Sequence, residues 1–272
     1  MRTLKLPPSL LLFLVVCVFL LIHFSQLSRP TQHGHLEKKT PRIALVTFVT
    51  EERSYLHLAL KSKNHYCRRH GYDFIVDYEA HAERGTPWWK HAMLERLIKK
   101  GTYDWVWWLD VDTLITNTEI KVADIIEETL KNVTTPEEID WLITHDCNGL
   151  NTGSYIVRAH ERSVKLFDNS GAIRDEEVKK NDKHLSDQDA LGKLFKEDAA
   201  SARRTVQVPQ WKLNAFPQEI ACFDESKKVW EHGMFVLHFA GAWAHVKGED
   251  PTGQLMRKYQ HEIIWGDYSL FD

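Results

Sequence analysis

The chain has 272 residues with 43% hydrophobic side chains, 13 Gly and 9 Pro, which excludes a disordered, collagen-like or low-complexity protein. Its net charge of −3 is unevenly spread: Arg2, Lys5, Arg29, Lys38 and Lys39 against Glu37 give residues 1–40 a net of +4, leaving −7 on the remainder. A remainder that acidic lacks the basic footprint of phosphate-backbone recognition, so nucleic acid is excluded as an expected partner.

Arg2 and Lys5 precede an unbroken apolar run, Leu10 to Ile22, which Phe24 and Leu27 extend. As a helix, residues 10–27 reach roughly 27 Å, about the thickness of an early secretory membrane. No pair of small residues at cleavage spacing follows, so an uncleaved signal anchor is expected over 1–27, with a cleaved signal peptide as the alternative. The cationic start places the amino terminus in the cytosol. Residues 28–40 are polar without apolar period and read as a short stem, leaving 41–272 as one lumenal domain. Outside the apolar run lie Cys67, Cys147 and Cys222, which allow one disulfide in any of three pairings, or three small buried side chains. Asn132-Val133-Thr134 is a glycosylation sequon.

From Arg42 to Thr50 a continuous β-branched run predicts a strand buried on both faces. Leu56, Ala59, Leu60 and Cys67 share a helix face that Gly71 should terminate, and Tyr72–Tyr78 reads as a second strand. Trp89, Met93 and Leu97 mark another helix, closed by Gly101, before the aromatic run Trp105–Leu109. Alternating strand and helix predicts a parallel α/β sheet. Trp141–Thr144, Ser154–Val157, Thr205–Val208 and Met234–Phe239 add further strands.

The third strand runs into Asp110-Val111-Asp112. In extended chain both carboxylates share a face, and two anions beside a low-dielectric core repel unless a divalent cation joins them. Ligands of open α/β sheets also bind beyond strand carboxyl ends. A second D-x-D, Asp187 and Asp189, lies in a helix-like segment where i and i+2 point about 200° apart and cannot share an ion. A D-x-D after a strand suits two chemistries: a haloacid-dehalogenase-like phosphohydrolase, which also wants a following glycine absent here, or a nucleotide-sugar glycosyltransferase.

Four segments in order, WWLDVDTLITN, HDCNGLNTGSYIVR, LSDQDAL and VLHFAGAW, resemble glycosyltransferase family 34, which includes fungal α-1,2-galactosyltransferases, yeast α-1,6-mannosyltransferases and plant xyloglucan xylosyltransferases. The resemblance implies a GT-A-like α/β fold, a nucleotide-sugar-binding sheet with flanking helices. It also implies a Golgi type II, single-pass layout with the catalytic domain in the lumen. The activity it implies is α-retaining transfer of a hexose, galactose or mannose, to a glycan or glycoprotein acceptor. Xylose transfer or a phosphohydrolase are the alternatives, and a non-catalytic partner within a transferase complex is a third; the resemblance also allows the enzyme itself to form a homo- or hetero-oligomer with other transferases. Carried over by position, Asp110 and Asp112 would hold Mn²⁺ against the diphosphate of a UDP- or GDP-linked donor, with His238 as third protein ligand. Asp187 and Gln188 would face the donor sugar, Asp187 as a nucleophile or Gln188 as a positioning group. Asn151, Thr152 and Gly153 would line the acceptor side, and Lys90 would lie near the nucleotide. Ala242-Trp243 replace the cysteine and lysine that plant members place after His-Phe-Ala-Gly, so a phosphate contact there would fall to Lys247 or be lost. Trp243 itself suits a sugar-stacking platform. Each residue also has a plain structural explanation: a core histidine, a helix-capping turn, a solvated lysine or a surface tryptophan.

Overall fold

Residues 40–267 are described by the structure, a computed structural model. The expected anchor at 1–27 and all but Thr40 of the expected stem lie outside the described residues. Among the described residues no helix is long and apolar enough to cross a membrane.

The buried runs of the sequence form the strands β1 (Ile43–Phe48), β2 (Asp73–Asp77), β3 (Trp105–Leu109), β5 (Trp141–Asp146), β6 (Gly149–Arg158) and β7 (Thr205–Gln207), in the sheet order β2-β1-β3-β6-β5-β7. The remaining strands, β4 (Thr113–Ile115) and β8 (Val236–His238), pair as a separate two-stranded sheet. In chain order the helices are α1 (Leu56–His70), α2 (Trp89–Lys100), α3 (Val122–Lys131), α4 (Glu161–Asn181), α5 (Asp187–Glu197), α6 (Ala199–Ala202), α7 (Gln210–Leu213), α8 (Ala242–His245) and α9 (Pro251–Tyr259).

Side chains alternate across the central strands. Ile43, Leu45, Trp105, Trp107 and Leu109 face a core shared with Tyr66 of α1 and Ile125 of α3. Ala44, Val46, Val106 and Trp108 face the opposite core, against Met93 and Leu94 of α2 and Leu191 of α5. Covering both faces is what makes these strands continuously apolar rather than alternating. Gly71 and Gly101 end α1 and α2 in the left-handed conformation, at φ 67° and 68°, where a side chain would be strained.

The expectation of a parallel sheet holds for β2, β1 and β3. It fails at β6, which runs antiparallel to both β3 and β5, so the central sheet is mixed. The cause is local: β5 and β6 are joined through Cys147 and Asn148, and a connection that short reverses the chain, whereas a parallel partner needs a long crossover. The hairpin is tied down by a Cys147–Cys222 disulfide, while Cys67 stays reduced and buried. Asn132 is exposed at the end of α3, with its side chain donating to Glu128 O at 3.2 Å.

Candidate metal and nucleotide-sugar site

Beyond Leu109 the chain leaves the sheet. Asp110 N donates to Gly153 O at 2.8 Å, continuing the β3–β6 ladder by one bond. Thr113 Oγ1 then donates to Asp110 O at 2.7 Å, which closes a turn over Val111 and Asp112. The two carboxylates are therefore presented by a turn and not by a strand face, because β4 starts at Thr113 in the second sheet. That sheet also brings up the imidazole: β4 and β8 pair antiparallel with Thr113 opposite His238, and Phe239 N donates to Asp112 O at 3.0 Å. Ligand atoms of Asp110, Asp112 and His238 fall within 4.8 Å of one another, and His238 Nε2 is 3.4 Å from an Asp112 oxygen. His238 is 3% exposed, and its ring stands edge-on to Phe216 at 5.5 Å. Burial raises the Asp112 carboxyl, whereas a proton on the imidazole nitrogen that faces it, with a smaller contribution from Lys63, lowers it below the usual carboxylate range.

These groups open into a cavity of about 620 Å³, also lined by Lys90, Asn151, Thr152, Gly153, Asp187 and Gln188. Nine of the ten residues singled out in the sequence thus share one cavity. Trp243 does not line it and stands 80% exposed on α8. Lys247 is exposed and does not line it either.

The Lys90 ammonium, buried on α2, reaches Asp110 at 3.2 Å and Asp187 at 3.6 Å, and hydrogen-bonds Thr152 O at 3.3 Å. Desolvation opposes that charge, but the two carboxylates outweigh it and raise the lysine above its ordinary value. Asp187 sits in the first turn of α5, 3% exposed, and burial raises its carboxyl despite Lys90. It accepts from Thr152 Oγ1 at 3.1 Å, while Gln188 Oε1 accepts from Thr152 N at 2.9 Å. Asp189, on the far side of the same turn, only caps the helix with Ser186.

Four neighbours escaped the sequence reading. Lys63 is fully buried in α1 behind the turn and donates to Thr113 O at 2.8 Å; burial lowers it to about 7 although Asp112 and Asp110 oppose the shift. No pattern marks a lysine that points inward. Arg53 and Tyr55 line the cavity just past β1, where the rule that ligands gather beyond strand ends would have found them. Burial, reinforced by Asp112, raises the Tyr55 hydroxyl to about 12. Asn214, fully buried, faces His238 Nδ1 at 2.8 Å and carries no local sequence signal.

The donor set fits a hard divalent cation: two carboxylates and one imidazole, converging from two sheets. Charge points the same way. The cavity is lined by Glu51, Asp110, Asp112 and Asp187 against Arg53 and Lys90, a formal excess of two negative charges. Such a cleft disfavours an anionic ligand that arrives without a cation. Asp146, Cys147 and Cys222 also cluster, but their sulfurs are consumed in the disulfide.

The mixed central sheet with flanking helices is a glycosyltransferase-like α/β fold. The fold agrees with a solved glycosyltransferase involved in glycosylating the major capsid of PBCV-1, at TM-score 0.57 and 18% identity, covering 80% of this chain and 100% of that one. It also agrees with the glycosyltransferase GlyE of Streptococcus pneumoniae, at TM-score 0.51 and 14% identity, covering 83% and 61%. The chain belongs to the galactosyl transferase GMA12/MNN10 family, glycosyltransferase family 34, whose profile matches residues 39–248. Its relatives include the "probable alpha-1,2-galactosyltransferase gmh1" of Schizosaccharomyces pombe, 27% identical over 78% of this chain and 70% of that one. The "probable alpha-1,6-mannosyltransferase MNN10" of Saccharomyces cerevisiae is 27% identical over 59% and 47%. The chain spans 56% and 55% of two further S. pombe relatives. The phosphohydrolase alternative falls with this membership.

Proposed function

We propose that this chain is a divalent-cation-dependent hexosyltransferase, using Mn²⁺, that moves galactose or mannose from a UDP- or GDP-linked donor to a glycan or glycoprotein acceptor with retention of the α configuration. Its setting is the Golgi membrane, as a single-pass type II protein with the catalytic unit in the lumen; xylose is the alternative sugar. The names of its galactosyl- and mannosyltransferase relatives support the hexose. The observation that carries the chemistry is the convergence of Asp110, Asp112 and His238 in a cavity with surplus negative charge.

When bound, the cation acts as a Lewis acid on the leaving diphosphate. Asp110, Asp112 and His238 would hold it. Lys90 fixes Asp110 and Asp187 relative to each other. The Asp187 oxygen that faces Lys90 also accepts from the Thr152 hydroxyl, which blunts it as a nucleophile. Gln188 commits only its oxygen, to Thr152 N, and keeps its amide hydrogens for a sugar hydroxyl. This arrangement favours same-face substitution with Gln188 as the positioning group over attack by Asp187.

A screen of UDP- and GDP-sugars with Mn²⁺, scored by nucleotide release, tests the reading. Asp110→Asn and Asp112→Asn should each lower turnover by at least about 100-fold, the scale for losing a charge-stabilising group. Release that survives both substitutions and chelation would overturn it. Gln188→Ala should lower kcat more than donor affinity; a pure loss of donor binding would remove it from the reacting sugar.

A further inference from the structure

Behind His238 lies a chain of polar side chains in which each hydrogen-bond direction is dictated by the neighbour before it. Two groups at its start have no freedom: the Gly153 N–H can only donate, and the Asp146 carboxylate only accepts. Gly153 N donates to Asn151 Oδ1 at 2.9 Å, and Asn151 Nδ2 donates to Asp146 Oδ2 at 2.8 Å, which orients the Asn151 amide. Asn151 Oδ1 accepts a second bond, from Asn214 Nδ2 at 2.8 Å. The other Asn214 amide hydrogen goes to Thr144 Oγ1 at 2.9 Å, whose own hydroxyl proton is directed at the carbonyls of Asn151 and Ser154, at 3.3 and 3.2 Å. Asn214, fully buried, then has no hydrogen left. Its Oδ1, 2.8 Å from His238 Nδ1, has to accept.

From this we infer that Asn214 is a positioning residue that holds the proton of neutral His238 on Nδ1 and so keeps the Nε2 lone pair facing Asp112. Local electrostatics alone would choose the reverse. Asp112, with an oxygen 3.4 Å from Nε2, would draw the proton to that side, where it would occupy the face meant for a cation. The buried amide chain overrules it, since turning any amide over would set oxygen against oxygen or N–H against N–H out of reach of water, at the full desolvation penalty. Gly153 fixes the ring as well as starting the chain: a Cβ there would fall 2.1 Å from His238 Cε1. The consequence for cation affinity rests on the proposed metal role; the tautomer does not.

Long-range ¹H–¹⁵N correlation of full-length, histidine-labelled, metal-free protein at pH 7.5 reads the tautomer directly, with His238 assigned by loss of its signals in His238→Ala. The Nδ1–H form is expected, and an Nε2–H form in the wild type overturns the inference. Asn214→Leu should release the tautomer and weaken Mn²⁺ binding about 10- to 100-fold, the range for removing a group that orients a ligating histidine. Asn214→Asp loses the same two donations but still offers His238 an acceptor, so it should retain the Nδ1–H form. If Leu and Asp behave alike, Asn214 is only structural and the inference fails. If instead His238→Ala leaves Mn²⁺ binding unchanged, the metal reading falls while the tautomer result is judged on its own spectrum.

Discussion

Two residues near the carboxylate turn make opposite demands on the fold. Gly153 is required by proximity: its Cα faces the His238 imidazole so closely that any Cβ would collide with the ring. Gly153→Ala should therefore displace His238 and weaken Mn²⁺ binding about 10- to 100-fold, while far-ultraviolet circular dichroism stays unchanged. Calorimetric titration of Mn²⁺ checks this, and wild-type affinity in the variant would show that the ring relocates without consequence. Lys63 is a net burden on the metal-free protein. Its folded pKa is depressed to about 7 because burial outweighs the pull of Asp112 and Asp110, whereas an unfolded lysine titrates near 10.4. Between those values the unfolded chain binds more protons, so stability rises with pH, by up to about 1.4 kcal/mol per pH unit from this group. The penalty is complete below about pH 7 and gone above the unfolded value. Lys63→Met, in EDTA, should stabilise the protein at pH 7.5 by roughly 1–4 kcal/mol, less about 1 kcal/mol for the bond to Thr113 O. The gain should shrink by pH 9. Urea unfolding of both proteins at the two pH values measures the difference, and a gain independent of pH would contradict a lysine titrating in this range.

Among the elements, the β5–β6 hairpin does the most to connect fold and site, because its two strands carry Asp146, Asn151, Thr152 and Gly153, and its disulfide reaches the segment that follows Asn214. The Cys147–Cys222 link spans 75 residues of chain, so the Cys147→Ser, Cys222→Ser double variant should lose about 2–5 kcal/mol. Equilibrium unfolding of the wild type with and without reductant should match it; a loss under about 1 kcal/mol would mean that packing alone holds the hairpin. The hairpin also shows where the sequence was legible. Apolar runs located the strands, since burial on both faces leaves an unbroken signal, and the helix-ending glycines fell where they were expected. Strand direction was not legible: a strand such as Tyr155–Val157, covered on both sides, looks the same whether its neighbour runs with or against it. Asn148-Gly149 is a hairpin turn signal, but it lies inside the segment that carries the family resemblance, and no hairpin was expected there. The cluster of Asp110, Asp112 and His238 was legible through Asp110-Val111-Asp112 and, for His238, through the family resemblance, although the turn that presents the carboxylates was not. Asn214 and Lys63 were invisible for a different reason. Their partners lie 24 to 70 and 50 positions away in the chain, so no window or period contains them.

At the scale of the whole molecule, the charge distribution couples the binding of cation and nucleotide. Residues 41–272 carry a net −7, of which the cavity lining holds a local excess of two negative charges. A nucleotide diphosphate approaching alone meets repulsion at long range and again at the turn of Asp110 and Asp112. Lys90 cannot offset this, because its ammonium is already shared between Asp110 and Asp187. The cation and the nucleotide should therefore bind with strong positive coupling. Each neutralises charge that opposes the other, and linkage requires the two effects to be equal. Coupling of about 3 kcal/mol, at the upper end of the usual range, corresponds to roughly 150-fold. Mn²⁺ should raise the affinity for UDP or GDP by about that factor, and the nucleotide should raise the affinity for Mn²⁺ by the same factor. Higher ionic strength should shrink the long-range part of the repulsion and leave most of the contact part. Titrating each ligand with and without the other, at two salt concentrations, closes the thermodynamic square. A nucleotide that binds as tightly in EDTA as in Mn²⁺ would show that Arg53 and Lys90 suffice for the diphosphate, and that the carboxylate turn serves some purpose other than bridging it to a cation.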